Sequence, residues 1–403
     1  MERYEVGNER VELRRAWTPG EVREAVREVV SAAGLPSDRA LRVVIKPNLN
    51  NDLHALTGNS TDLRVICALI EALLDDGRRD LVVADGPNVG VERRGIDVFR
   101  RLRVANLVNR YPVRIVDLNR DEGVYVDLPD GRLRVARTWM DAQVRVSVPT
   151  LKTHAEMGLS CAMKNHVGTV VAQDKRVVHR DLARNIAALW AVAPPHLVLV
   201  DALVGMQGNG PGDGEPVRLG ALFSGRSPPA VDRVAAAAVG FDAARVPYLA
   251  RFPAVEEPRV SRLGVFEPAP ARSRLAVASE RRELRWLKRL VRPLVALPVV
   301  AEAAYRANIV QDVYTLEDGG VTGVRRTSDD CGGCTACADV CPTGLPVAQI
   351  GRTVDPAACL SCLACWWACP TGAVALDGGP LGFLERHATR YKASVERATR
   401  TST

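Results

Sequence analysis

Residues 331–344 read CGGCTACADVCPTG and residues 359–372 read CLSCLACWWACPTG, so one cysteine pattern, C-x2-C-x2-C-x3-C-P, occurs twice. In this pattern three closely spaced thiolates bind three irons of a [4Fe-4S] cube, and the fourth cysteine reaches across to the other cube. The repeat therefore predicts two clusters with crossed ligand sets. These sets are Cys331, Cys334, Cys337 and Cys369 for the first cluster, and Cys359, Cys362, Cys365 and Cys341 for the second.

Two zinc sites of four cysteines each, or disulfides, are alternative interpretations of these residues. Zinc ribbons usually present paired C-x2-C knuckles, whereas each run here is a triplet followed by a fourth cysteine and a proline. The segment from Asp329 to Leu376 resembles bacterial two-cluster ferredoxins. The resemblance implies a small α+β domain, one-electron transfer at low potential, and an external electron donor or acceptor such as ferredoxin.

The composition is that of a soluble globular protein, with 403 residues, 47% hydrophobic and 25% charged. The net charge is +7, but the basic residues are scattered and accompany no nucleic-acid-binding signature, so we expect no nucleic-acid partner. The first residues lack the apolar run of a secretory signal. Because oxygen-sensitive clusters and reduced thiols suit a reducing compartment, we expect a cytoplasmic protein.

Upstream, apolar runs of strand length alternate with helical patterns from about residue 40 onward. Strands are predicted at 41–45, 81–84, 113–116, 144–148, 197–200 and 219–223, and helices at 61–74, 91–102, 181–192 and 231–239. This alternation predicts an α/β domain over residues 1–265, with a mainly parallel sheet covered by helices on both faces.

Polar residues follow several predicted strands, where parallel sheets bind ligands. Four of only six lysines in the chain lie there, and a compact ammonium suits a carboxylate or phosphate. We therefore predict an anionic small-molecule substrate. The residues predicted to bind it are Lys46, Asn48, Asp85, Lys152, Asn165, Lys175, His179 and Asn209, and those predicted to act in catalysis are His154, His166 and Lys164. The alternative for each residue is a surface charge or a core histidine with satisfied hydrogen bonds.

These motifs also carry a family resemblance. KPN at 46–48, LKTH at 151–154, MKNHVG at 163–168 and the glycine-rich run at 208–214 occur in the order and spacing of the domain-of-unknown-function 362 family, and the likeness spans about residues 40–243. Several members of that family are similarly fused to ferredoxin domains. The resemblance implies a shared fold and an iron-sulfur-linked role, but no particular reaction. The glycine-rich run itself lacks dinucleotide-loop spacing, and we expect its backbone to approach a ligand.

The remaining segments carry no chemical motif. Residues 266–325 are predicted to form a linker that contains a basic amphipathic helix at 281–292, followed by an apolar run too short to span a bilayer. That helix is expected to pack between domains, with a membrane surface or a partner protein as the alternative. Residues 326–378 form the predicted ferredoxin-like domain, and 379–403 a basic tail.

Together these features predict an iron-sulfur oxidoreductase that relays electrons through two clusters to the bound anion. One alternative is an electron-transfer subunit whose N-terminal domain docks a redox partner without its own chemistry. Another is a non-redox lyase or isomerase with structural clusters. A flavin would supply the switch from one-electron to two-electron chemistry, but no motif in the sequence indicates one.

Overall fold

The computed structural model describes residues 1–92, 95–212, 214–253, 258–268, 321–378 and 388–394. Its strands are β1 (Glu2–Val6), β2 (Glu9–Arg15), β3 (Val43–Pro47), β4 (Leu81–Asp85), β5 (Val113–Asp117), β6 (Gly123–Leu128), β7 (Gly131–Ala136), β8 (Val144–Val148), β9 (Thr150–His154), β10 (Gly158–Ser160), β11 (Leu197–Gln207), β12 (Glu215–Gly225), β13 (Gly323–Arg326) and β14 (Val374–Asp377).

Its α-helices are α1 (Pro19–Ala32), α2 (Leu63–Asp75), α3 (Val89–Glu92), α4 (Val98–Arg101), α5 (Arg137–Met140), α6 (Ala162–Asn165), α7 (Lys175–Val178), α8 (Leu182–Val192), α9 (Pro228–Ala238), α10 (Ala336–Asp339) and α11 (Ala364–Ala368). Residues 388–394 are also helical. The predicted helix over 91–102 is instead two short helices, α3 and α4, separated by a turn that contains Gly95 at positive φ.

One large sheet organises the N-terminal domain, in the order β1-β2-β12-β11-β8-β3-β4-β5. The pairings from β11 through β8, β3 and β4 to β5 are parallel, whereas β1, β2, β12 and β11 pair antiparallel. Beyond β8, β9 continues beside β11, and β10 turns back on β9. The predicted mainly parallel sheet is confirmed, with an antiparallel edge.

Helices cover both faces of this sheet, as predicted. Val43 and Ile45 pack with α1 and α2 on one face, and the intervening Val44 packs with α8 and α9 on the other. Successive side chains of a strand point to opposite faces, so a strand buried on both faces must be apolar at every position. This is why β3 begins as Val-Val-Ile.

The cysteine-rich segment folds as a small α+β unit in which β13 pairs antiparallel with β14. It packs against the N-terminal domain through a shared apolar core. Leu56 and Val204 of the large domain lie in that core with Trp367 and Leu376 of the small one. The predicted helix at 281–292 lies outside the described residues, and within them no helix has the length and apolarity needed to cross a membrane.

Candidate functional site

A cavity of about 310 Å³ lies at the carboxyl ends of β3, β4 and β9. Of the eleven predicted site residues in the N-terminal domain, all but His166 line it. The residues brought together are Lys46, Asn48, Asp85, Lys152, His154, Lys164, Asn165, Lys175, His179 and Asn209. Residues separated by up to 163 positions in the chain thus meet at one site, where the topology of parallel sheets places ligands.

Strand β9 positions two of these side chains. Residues 151–154, LKTH, are predicted to follow a strand. In the structure Thr150–His154 is itself a strand, which pairs with β11 and β10. Side chains alternate along it, so Lys152 and His154 reach the cavity while Leu151 packs into the core. Both polar side chains are buried, at 1% and 8% exposure, because they face the cavity and not the outer surface.

The glycine-rich run forms the loop between β11 and β12 and lines the cavity with Asn209, Gly210, Pro211 and Gly212. A Cβ at Gly210 would overlap the carbonyl oxygen of Thr153. The loop therefore lies against β9 at a distance that only glycine permits at this position.

His166 does not reach the cavity. Its Nδ1 is 3.0 Å from the carbonyl oxygen of Ala162, and its ring meets the edge of Trp139 at 5.8 Å between centroids. Burial lowers the pKa of His166 to about 4. The side chain is therefore a neutral imidazole within the core, but its Nε2 is buried without a hydrogen-bond partner among the described residues, so its hydrogen bonds are only partly satisfied.

A buried ion pair joins two strand ends at the floor of the cavity. Lys46 Nζ lies 2.6 Å from Asp85 Oδ1 and 3.1 Å from Asn165 Oδ1. Asp85 also accepts the backbone N–H groups of Leu49, at 2.6 Å, and Gly86, at 2.9 Å. Burial lowers the pKa of Lys46, and the Asp85 carboxylate opposes that shift. The pair holds the end of β3 against that of β4, and the charge of Lys46 already has a partner within the protein.

Three further lysines have weakened basicity. Lys152 Nζ donates to Asn48 Oδ1 at 2.7 Å. Burial lowers the pKa of Lys152 to about 7, and the nearby charge of Lys164 is the second cause of this shift. Burial also lowers the pKa of Lys164 to about 8, with Glu156 opposing, and that of Lys175 to about 8. An anion placed among these groups would favour their charged forms and raise each pKa.

Sequence reasoning missed other lining residues, among them Asn50, Asn88, Glu156, Gln173 and Arg176. With Arg176 the lining carries five basic side chains of lysine or arginine against the two carboxylates of Asp85 and Glu156. Asn88 follows β4 closely and Arg176 is adjacent to Lys175, so proximity in sequence to predicted residues was the available signal. The charge excess suits a small anion.

The eight cysteines line two separate cavities in the small domain. One is lined by Cys331, Cys334, Cys337 and Cys369, and the other by Cys341, Cys359, Cys362 and Cys365. These are the two crossed sets that the sequence pattern predicts. The fourth cysteine of each run lies with the three of the other run because the two halves of the repeat fold against each other.

The donor set of each cavity suits a [4Fe-4S] group. Each offers four sulfur ligands, and polar hydrogens point at some of them: Arg326 Nη2 lies 3.3 Å from Cys331 Sγ, and the N–H of Leu345 lies 3.4 Å from Cys341 Sγ. Such hydrogen bonds to cluster ligands tune reduction potential. Among the described residues no three His, Cys, Asp or Glu side chains are placed to hold one metal ion.

Comparisons with known proteins match two separate parts of the chain. Residues 43–237 match the model of a family described as Domain of unknown function (DUF362). Residues 352–375, which include the second cysteine run, match the model of the 4Fe-4S binding domain. That match establishes an iron-sulfur binding domain with the capacity for electron transfer.

Among individual proteins, the thylakoid-associated protein sll1697 of Synechocystis sp. is 28% identical over 225 residues, which cover 52% of this chain and 66% of that protein. Among solved structures, the lactate racemase apoprotein of Thermoanaerobacterium thermosaccharolyticum shares 12% identity at a TM-score of 0.32, over 48% of this chain and 50% of that chain.

Proposed function

This chain joins a domain of the DUF362 family to a 4Fe-4S binding domain, and we propose that it is an iron-sulfur oxidoreductase acting on a small anion. The two crossed cysteine sets would each hold a [4Fe-4S] cluster, and the clusters would supply one-electron transfer between an external carrier such as a ferredoxin and the ligand of the large cavity. Because the cysteine-rich domain and the large cavity belong to one chain, the clusters would stay at a high effective concentration near the bound ligand.

The charge of the large cavity carries the proposal. Five basic side chains of lysine or arginine and two carboxylates line it, and three of its lysines have a pKa lowered toward neutrality by burial. Perturbed ionisable groups that converge on a cleft are typical of functional sites. A site that only packed against a partner protein would have no need to bury several ammonium groups around an enclosed volume.

In this mechanism Lys152 and Lys164 bind the anionic group. Asn165 keeps the end of β3 in place, because its amide donates to the Lys46 carbonyl oxygen and to Ser147 Oγ. The clusters, when bound, supply electrons one at a time. His154 supplies the proton that accompanies reduction, since its Nδ1 accepts the N–H of Glu156 at 3.2 Å and Nε2 therefore carries the hydrogen in the neutral ring. Lys46 keeps the floor of the cavity in place through Asp85.

The test begins with anaerobically purified protein, whose iron, sulfide and zinc content is measured together with any molecule released on denaturation. The protein is then reduced chemically and mixed with a panel of small carboxylates and phosphate esters, and cluster reoxidation is followed optically. A compound that reoxidises wild-type protein and a Lys392→Gln control, but not Lys152→Gln, would support the proposal. About eight irons with no reoxidation by any of these anions would favour the electron-transfer subunit, and zinc without sulfide would refute both.

The cellular setting is part of the proposal. A reducing compartment such as the cytoplasm suits the free thiols of the two cysteine sets. The relative sll1697 is named as thylakoid-associated, so attachment to a membrane surface is compatible with the same function. Fractionation under native and high-salt conditions would distinguish a freely soluble protein from a peripheral one.

A further inference from the structure

Residues 48–62, which we call the bridging loop, connect the large cavity to the small domain. The loop leaves β3 at Asn48, a cavity residue, and returns to Asp62, the N-cap of α2. Asn48 and Thr61 close it, because the N–H of Asn48 donates to Thr61 Oγ1 at 2.8 Å and the N–H of Thr61 donates to the carbonyl oxygen of Asn48 at 2.9 Å. One end of the loop is thus fixed at the cavity.

Most of the bridging loop is buried, including polar residues such as Asn51, Asn59 and Ser60. Loops ordinarily run over the surface, because buried backbone needs partners for its polar groups. Here the partners come largely from within the loop: the N–H of Leu53 donates to Asn51 Oδ1 at 3.1 Å, and Ser60 Oγ donates to the Leu53 carbonyl oxygen at 2.8 Å. Long, ordered loops of this kind usually serve function.

The middle of the bridging loop, at His54, contacts a predicted cluster ligand. His54 Nε2 lies 3.0 Å from the carbonyl oxygen of Cys362. Its Nδ1 accepts the N–H of Leu56 at 3.1 Å, so Nε2 carries the hydrogen and donates to Cys362. The His54 ring also stacks on Trp367, with centroids 5.0 Å apart and planes within 13°.

Further hydrogen bonds hold the cavity of the second cysteine set against the large domain. Asn106 Nδ2 donates to the carbonyl oxygen of Leu360 at 2.8 Å, and Arg23 Nη2 donates to that of Pro342 at 2.8 Å. Leu360 and Pro342 both line the cavity of the second cysteine set. Residues of the small domain line both cysteine cavities, but at the cavity of the first set Pro370 and Thr371 are exposed.

We propose that the two clusters act in a fixed order, in which the second is the terminal one and is coupled to the large cavity through the bridging loop. The external carrier exchanges electrons with the first cluster at its exposed side. His54 is a positioning residue for the second cluster. This inference rests on the two clusters of the proposed function, but it assigns them different roles.

Redox titrations of wild-type protein, His54→Phe and Arg326→Gln, monitored by electron paramagnetic resonance, test this order. His54→Phe keeps a ring against Trp367 but removes the donor to the carbonyl oxygen of Cys362, so the reduced second cluster loses stabilisation and one wave moves to lower potential. Arg326→Gln removes a charge and weakens the donor to Cys331 Sγ, so it perturbs the first cluster. The expected result is that the two variants move different waves.

Sulfate then identifies the wave that belongs to the cluster nearer the cavity. A bound dianion disfavours reduction of the closer cluster more strongly, so sulfate should move the wave that His54→Phe moves. Asn106→Leu, which removes the donor to Leu360, should move that wave too and serves if the histidine variant does not fold. The inference would be overturned if both variants moved the same redox wave, or if sulfate moved the wave that Arg326→Gln moves. No turnover is needed, so failure to find a reducible substrate would count against the proposed function alone.

Discussion

Raising the pH should weaken anion binding in the large cavity, and Lys152 should dominate the effect. Burial lowers its pKa to about 7, and a bound anion would raise that value. Lys152 is then mostly charged below pH 7 in the free protein and mostly neutral above it. Binding above pH 7 must therefore include proton uptake, and affinity falls as pH rises until the pKa of the bound form is reached.

The size of the effect follows from the protonated fraction of Lys152. With a pKa of about 7 that fraction drops from about three quarters at pH 6.5 to about 3% at pH 8.5. Affinity should fall about 25-fold, or about 2 kcal/mol, from this lysine alone. Lys164 and Lys175, each with a pKa of about 8, would add up to about fourfold each over the same interval.

Sulfate is the appropriate probe because its charge is constant over this pH range, whereas phosphate titrates within it. Calorimetric titrations in buffers of different ionisation enthalpy give both the affinity and the number of protons taken up. Lys152→Met should bind weakly and lose the steepest part of the pH dependence, and Lys392→Met should behave as wild type. Equal affinity at pH 6.5 and 8.5 without proton uptake, or an unchanged slope in Lys152→Met, would refute the reasoning.

Three further outcomes are expected. Lys46→Met leaves Asp85 as a buried charge without its ion-pair partner and should lower the free energy of unfolding by about 3–5 kcal/mol in anaerobic denaturation. Asp80→Asn removes two partly exposed ion pairs, with Arg42 and Arg114, and should cost less than about 2 kcal/mol; equal losses would contradict the buried pairing. Cys341→Ser should impair the second cluster and spare the first in resonance spectra, although this cysteine belongs to the first run; loss of the first cluster alone would refute the crossed ligation. Gly210→Ala should displace its loop from β9 and weaken sulfate binding, and wild-type affinity would show that the loop does not shape the site.

Much of the fold could be predicted because its central strands are buried on both faces. Runs such as Leu81–Asp85 are almost continuously apolar and are bounded by polar residues, so both type and approximate position follow from the sequence. The cysteine sets were predictable for a different reason, since spacing and a doubled pattern specify ligation without any knowledge of packing. The structure brings together the same two sets.

The antiparallel edge was missed although the sequence contains signals for it. Strands β1 and β2 are joined at Gly7-Asn8, a turn pair typical of hairpins. The helix that follows them, α1, also has a start signal in the sequence, a capping box. In it the N–H of Glu21 donates to Thr18 Oγ1 at 3.3 Å, and the Glu21 carboxylate accepts the N–H of Thr18 at 2.9 Å. Strand β9 carried no comparable signal. Its residues Lys152 and His154 resemble a surface loop, because sequence alone does not reveal that a polar face lines an interior cavity.

The contrast between two adjacent motif residues shows where sequence reasoning fails. Asn165 lines the cavity, whereas His166 points into the core beside Trp139. Successive residues of a helix are rotated by about 100°, so Lys164 and Asn165 reach the cavity whereas the next residue, His166, turns into the core. The motif predicted where a functional segment lies, but the helical rotation decided which of its side chains can act.

The three lysines whose pKa is lowered to about 7 or 8 support the proposal that this cavity binds a ligand. A lysine whose pKa is about 7 or 8 in the folded chain destabilises that fold at neutral pH, because the unfolded chain binds the proton more tightly. Lys46 differs, since Asp85 compensates its burial directly. An anion would favour the charged forms of the other three lysines and offset the cost of their burial, so its binding would stabilise the folded protein. The bridging loop lines one side of that cavity through Asn48 and contacts Cys362 through His54, so one largely buried segment reaches both the proposed anion site and the second cysteine set.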